Sequence, residues 1–197
     1  MGSIERRERH RRQVRESIMN TARAIAAKEG WASVSVRKIA DAIDYTAPIL
    51  YEYFENKESL LEAIREEGFK TLDARFRKIK ELYRSPEKQL TEVALAIWNF
   101  SAQAPEVFQA MFNLDGAYTS SKQTFQDQLD YEDNPVWEMI AAFKPRFAEA
   151  VNKTYREWWV ITYGFIILKL TVAPDDSGGF TENLYMENVR RYLRHAQ

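Results

Sequence analysis

Residues 35–61, SVRKIADAIDYTAPILYEYFENKESLL, decide the fold of this chain. Ser35 is suited to cap a helix whose apolar positions, Val36, Ile39, Ala40 and Ile43, fall on one face. Asp44-Tyr45 interrupts that face. Thr46 is placed to cap a second helix, with Pro48 in its first turn, where a missing N–H costs nothing. Ile49, Leu50, Tyr53 and Phe54 turn one side of this helix inward, leaving Ala47, Pro48, Tyr51 and Glu52 near its start or on its outer side. Asn56 caps a third helix that opens with Lys57-Glu58. Two short helices joined by a turn of a few residues form a helix-turn-helix, whose second helix enters the DNA major groove.

The same residues carry a resemblance. Ser35-x-Arg37-x-Ile39-Ala40, Thr46, Leu50-Tyr51-x-Tyr53-Phe54 and Asn56-Lys57-x-x-Leu60-Leu61 resemble the DNA-binding segment of the tetracycline-repressor (TetR) family of bacterial transcription regulators. The likeness covers roughly the first third of the chain. Three positions depart from it: Ile43 stands where a small Ala is usual, Asp44 where Gly is usual, and Tyr45 where Val or Ile is usual. Asp tolerates the left-handed conformation better than most residues, so the turn is expected to survive. The resemblance implies DNA contacts at Arg37, Ala47, Pro48 and Tyr51, with Lys57 on a phosphate. Ser35 and Thr46 would bring capped helix N-termini to phosphates. It also implies a homodimer built on the last two helices, a near-palindromic double-stranded operator, and an inducer pocket among the C-terminal helices. Plainer readings stand beside these: an Arg37–Asp41 ion pair, core packing of Tyr51, and a solvated first-turn Lys57.

Composition excludes much else. The chain has no Cys, which removes disulfides, thiolate metal sites and Cys nucleophiles. Its two histidines, His10 and His195, lie near the ends, poor places for a metal site, a haem ligand or a Ser-His-Asp triad. No metal or other cofactor is expected. The N-terminus is charged, and the most apolar run, residues 158–168, is too short to span a membrane, so a cytoplasmic protein with no membrane partner is expected. Net charge of −1 hides an asymmetry: up to Lys57 eleven basic residues face eight acidic ones, while the remainder is acidic. A basic end on an acidic protein suits polyanion binding.

Taken in order, residues 1–9 read as a flexible arm, and Arg6, Arg7, Arg9, Arg11, Arg12 and Arg15 are able to meet phosphates. A first helix over about residues 8–29 turns Val14, Ile18, Ala22, Ile25 and Ala26 inward and stops at Gly30. Trp31 should pack beneath the second helix. From Lys57 a long helix runs to about Tyr83 and ends at Ser85-Pro86. Further helices are expected over about residues 86–102 and from Ala104-Pro105, near Phe125–Leu129, from Pro135 with a break at Pro145, and over residues 155–171, apolar almost all round. A last helix is capped by Thr181 and uses Leu184, Tyr185, Val189, Tyr192 and Leu193. No strand pattern is visible. The expected fold is all-α: a three-helix helix-turn-helix bundle, residues 1–57, and a larger helical ligand-binding and dimerisation domain, residues 58–197.

Aromatic residues crowd the second half. Large rings close-pack poorly around one another, so this domain is expected to keep space for a small hydrophobic or aromatic ligand. Trp98, Phe108, Phe112, Trp159 and Tyr163 are the candidate wall, core packing being the plainer reading of each. Residues 159–164, Trp-Val-Ile-Thr-Tyr-Gly, also resemble a TetR subgroup marked by Trp-x-x-x-His-Gly, with Tyr163 in place of the His. No carboxylates pair at a spacing for acid–base work and no glycine-rich phosphate loop is present, so an enzyme is not expected. The function implied is a ligand-released repressor. The alternative is a helical small-molecule-binding protein without specific DNA binding.

Overall fold

The computed structural model describes residues 2–114, 134–143, 147–172 and 179–196, and these are helical with no strand among them. The helices are α1 Ser3–Glu29, α2 Val36–Ala42, α3 Ala47–Tyr51, α4 Lys57–Leu82, α5 Pro86–Gln103, α6 Pro105–Phe112, α7 Pro135–Phe143, α8 Ala148–Val172 and α9 Glu182–His195. A 3-10 turn, Trp31–Ser33, joins α1 to α2. No described helix is long and apolar enough to cross a membrane. The chain divides into two compact units. The first holds α1, the 3-10 turn, α2, α3, α4 as far as Gly68, and α6 from Glu106; the second holds α4 from Phe69, α5, α7, α8 and α9.

In the first unit α1 buries Val14, Ile18, Met19, Ala22 and Ala26 on one face. It begins at Ser3, so the expected arm is helix. Residues 3–9 contain no Gly or Pro to stop it, and Glu5 Oε2 accepts the Gly2 N–H at 3.0 Å, which satisfies an otherwise free donor at the start. Gly30 ends the helix at φ 79°, a conformation that favours a residue without Cβ, while its N–H still reaches the Ala26 carbonyl. Trp31 follows, fully buried, and its indole N–H donates to the Glu106 carbonyl at 2.8 Å. That bond joins the 3-10 turn to α6. Arg23 pairs with the Glu106 carboxylate at 3.5 Å. Gly68 permits close approach of α4 to α6: a Cβ there would lie 2.5 Å from Met111 Sδ and 2.9 Å from Val107 Cγ1.

In the second unit α5 packs against α7, α8 and α9, and α8 against α7 and α9. Ser85 caps α5 through Lys88 N–H, with Pro86 in the first turn. Gln89 Nε2 donates to the Lys80 and Tyr83 carbonyls, closing the connection from α4. Polar ends of buried and half-buried aromatics stitch the helices together. Trp137 Nε1 donates to Asn152 Oδ1 at 2.7 Å, and the Tyr185 hydroxyl donates to the Ala94 carbonyl at 3.1 Å. The helix expected from Pro135 is two helices, ending at Phe143 and restarting at Ala148; Pro145 itself lies outside the described residues, as does the helix expected near Phe125–Leu129.

Several apolar positions expected inside are outside. Phe147, just before α8, is 90% exposed, because the periodicity that placed it inward does not carry across the break between helices. On α8, Val160 is 70% and Leu168 44% exposed, so the helix is not buried all round. Leu184, in the first turn of α9, is 40% exposed.

Candidate nucleic-acid interface

The surface is built from its turn outward. Ser35 holds an extended backbone and its Oγ accepts the Lys38 N–H at 3.2 Å, so the hydroxyl caps α2. Ile39 and Ala40 are buried and fix this helix on the bundle, leaving Arg37 exposed. Among the described residues Arg37 makes no ion pair with Asp41, so its guanidinium is available. Lys38 is engaged instead: its Nζ meets Glu29 Oε2 at 2.5 Å and, chiefly through that hydrogen bond, holds the carboxyl below its usual range.

Asp44 takes φ 58°, the left-handed conformation that the turn requires where Gly is absent, and the Tyr45 N–H returns to the Ala40 carbonyl at 3.0 Å. Thr46 then extends the chain and its carbonyl accepts the Ile49 N–H at 3.0 Å. Its hydroxyl makes no capping bond, so Thr46 holds the cap position by backbone alone. α3 is short. Leu50 and Phe54 anchor it in the core, with Phe54 reached through a tight turn beyond the helix. Pro48 is exposed, Ala47 half-buried, and Tyr51 54% exposed, too open for a core residue.

Asn56 caps α4 through the Ser59 N–H, and Ser59 Oγ accepts the Asn56 N–H in return. Lys57 also has a partner within the first unit. It is half-buried, and its Nζ donates to the Trp31 carbonyl; burial pushes its pKa down from the usual lysine value. The α4 start is thereby tied to the 3-10 turn. The sequence carries no signal for this bond, which joins residues far apart in the chain. Nor does it signal the place of Arg15, whose guanidinium lies 4.9 Å over the Phe54 ring and donates to Met19 Sδ.

The five expected wall residues fall in both units. Phe108 is fully buried on α6 and its ring lies 4.7 Å from that of half-buried Phe112, both in the first unit. In the second unit Trp98 stacks on Tyr185 at 5.2 Å, with Lys169 Nζ 3.8 Å from the centre of the Trp98 ring. Trp159 meets Trp158 and Tyr155, and burial pushes the Tyr163 hydroxyl up to about 12. The Trp158 and Trp159 indole N–H groups are buried without a hydrogen-bond partner among the described residues. The Thr162 hydroxyl is likewise buried without a partner among the described residues.

Residues 18–64 match the family model described as bacterial regulatory proteins, tetR family. The HTH-type transcriptional repressor KstR2 of Mycolicibacterium smegmatis is 27% identical over 180 residues, covering 91% of this chain and 74% of the relative. Its helix-turn-helix segment is similar to that of tetR-family regulators. Solved structures agree on the fold of the chain. A tetR-family transcriptional regulator from Streptomyces coelicolor superposes with a TM-score of 0.65 at 19% identity, covering all of this chain and 80% of the other. Thermus thermophilus FadR, a repressor in complex with lauroyl-CoA, gives 0.62 at 15% identity and covers 92% of each chain. The tetR-family match spans the surface just described, from the buried face of α1 to the first turns of α4.

Proposed function

We propose that this protein is a homodimeric transcriptional repressor that binds a near-palindromic operator through α2 and α3 and leaves it when a small apolar molecule binds. The observation that carries the reading is the exposed tip of the helix-turn-helix: Arg37, Pro48 and Tyr51 stand clear of a core anchored by Ile39, Leu50 and Phe54. DNA binding belongs to residues 1–57, and ligand binding and dimerisation to residues 58–197. Thr46 and Ser35 fix the backbone of the surface, and Ala47 with Pro48 supplies apolar contact to thymine methyls. Lys57 serves a phosphate through its positive charge while its amine braces the Trp31 carbonyl.

Dimerisation is supported by α8. Val160, Gly164 and Leu168 recur at four-residue spacing; the two apolar side chains are exposed, and nothing lies within 4 Å of a Cβ built at Gly164. A smooth, open apolar stripe on a long helix suits a second copy of itself. The cytoplasmic location follows from the role in transcription.

Mobility-shift assays with duplex DNA from upstream of the coding sequence test the DNA face. Tyr51→Ala should weaken binding at least about tenfold, at unchanged thermal stability, the scale of one good contact of about 1–3 kcal/mol. Arg37→Ala should relax preference at one base pair per half-site by about 1–3 kcal/mol. A uniform loss over all operator variants would make Arg37 a phosphate contact, and unchanged binding by both variants would remove this face from consideration.

The ligand reading rests on the second unit, where Trp159 and Gly164 carry the likeness to the Trp-x-x-x-His-Gly subgroup. Two buried indole N–H groups without partners among the described residues favour a ligand that brings an acceptor oxygen to an apolar site. The lauroyl-CoA bound to Thermus FadR has that character. Acyl-CoA thioesters and free fatty acids, titrated into the protein–DNA complex, are the first probes. Trp98→Leu and Tyr163→Leu should shift the releasing concentration several-fold with little change in melting temperature. Lower melting temperatures with unaltered release would make both residues core.

A further inference from the structure

The N-terminal turns of α1 carry a pattern that the helix-turn-helix does not use. The face of α1 that buries Val14, Ile18 and Ala22 continues toward the N-terminus at seven-residue spacing. At those positions stand Arg7, Arg11 and Arg15. Where the pattern would place core residues, the helix places arginine.

The three arginines are four residues apart, so they form one stripe about 12 Å long on a single face. Its inner end is fixed, because the Arg15 guanidinium lies over the ring of Phe54, three residues beyond the exposed Tyr51. Its outer members, Arg7 and Arg11, are exposed and take part in none of the ion pairs among the described residues. Of the acids nearest them, Glu5 is occupied with the Gly2 N–H, and Glu8, which lies between them, takes part in none of those ion pairs. Like charges at this spacing weaken an isolated helix slightly, and an anion laid along the stripe reverses that sign.

We propose that Arg7 and Arg11 form a second DNA-contact element, a sequence-independent grip on the phosphate backbone continuous with the helix-turn-helix surface. The proposal rests on the DNA-binding reading above. A strand presents one phosphate per roughly 3.4 Å of duplex axis, so a stripe of about 12 Å spans roughly three of them. Such contacts release counterions and carry no base information.

Salt dependence isolates this effect. Binding to a duplex of random sequence, about three helical turns long, is followed by fluorescence anisotropy across salt concentrations, for the full chain and for Arg7→Ala/Arg11→Ala. Alanine favours helix, so circular dichroism should show α1 retained. The slope of log K against log salt should become shallower by about 1.8, at about 0.9 for each phosphate no longer neutralised. Lys78→Ala/Arg84→Ala removes the same charge from exposed positions near the end of α4 and should leave the slope as in the parent. An unchanged slope in the arginine variant overturns the proposal, and so does an equal fall in the control, which would trace the effect to net charge. If the parent protein binds no duplex at all, the DNA-binding reading fails and this inference with it.

Discussion

Replacing Trp31 with alanine is expected to destabilise the first unit by about 3–5 kcal/mol, the usual cost of emptying a buried Trp site. Whole domains are stable by only about 5–15 kcal/mol, so a large share of the margin would go. The side chain is fully buried, and its N–H bond to the Glu106 carbonyl joins the 3-10 turn to α6. The Trp31 carbonyl in turn accepts from Lys57 at the start of α4. Trp31 therefore links the start of α4 to α6, where Glu106 lies 75 positions further along the chain. Trp31→Phe separates packing from hydrogen bonding. It keeps most of the ring and removes one donor, and should cost nearer to about 1 kcal/mol beyond the smaller ring area. Urea unfolding followed by circular dichroism gives both values. An alanine variant within about 1 kcal/mol of the parent would mean the site collapses onto the hole.

Phe108→Ala is the second large effect, also about 3–5 kcal/mol. Phe108 is fully buried on α6 against Phe112, and α6 lies so close to α4 that Gly68 has no room for a Cβ without Met111 moving. A closely packed site of this kind relaxes little when a ring is removed. The outcome bears directly on the expectation that Phe108 lines a ligand site. As a core residue, Phe108 lowers the unfolding free energy when truncated and leaves the response to acyl probes unchanged per folded protein. As a wall residue, it costs little stability and changes that response. Phe112 is only half-buried, so its truncation should be the milder of the two.

Local chemistry is readable from the chain. Asp44 at φ 58°, Asn56 and Ser59 at the start of α4, Ser85-Pro86 at α5 and Thr181 at α9 all act over three or four residues, and their side chains serve the positions that their types suggest. The tetR-family segment lies in the same class, because a short turn between two capped helices is written in adjacent residues. The start of α1 misleads because a run of charges looks unstructured, although Arg and Glu are good helix formers.

What the sequence determined by itself was the all-α class, the helix-turn-helix and the exposure of Arg37, Pro48 and Tyr51, since each follows from periodicity and capping within one or two turns. Tertiary structure decided the rest. It gave Lys57 to the Trp31 carbonyl, set Arg15 over Phe54, joined α6 to the first unit through Glu106 and Gly68, and left Val160 and Leu168 open on an apolar helix. Each of these depends on which side of a helix meets which distant neighbour. An apolar or charged residue type is compatible with several such neighbours, and only close packing of the whole chain selects one.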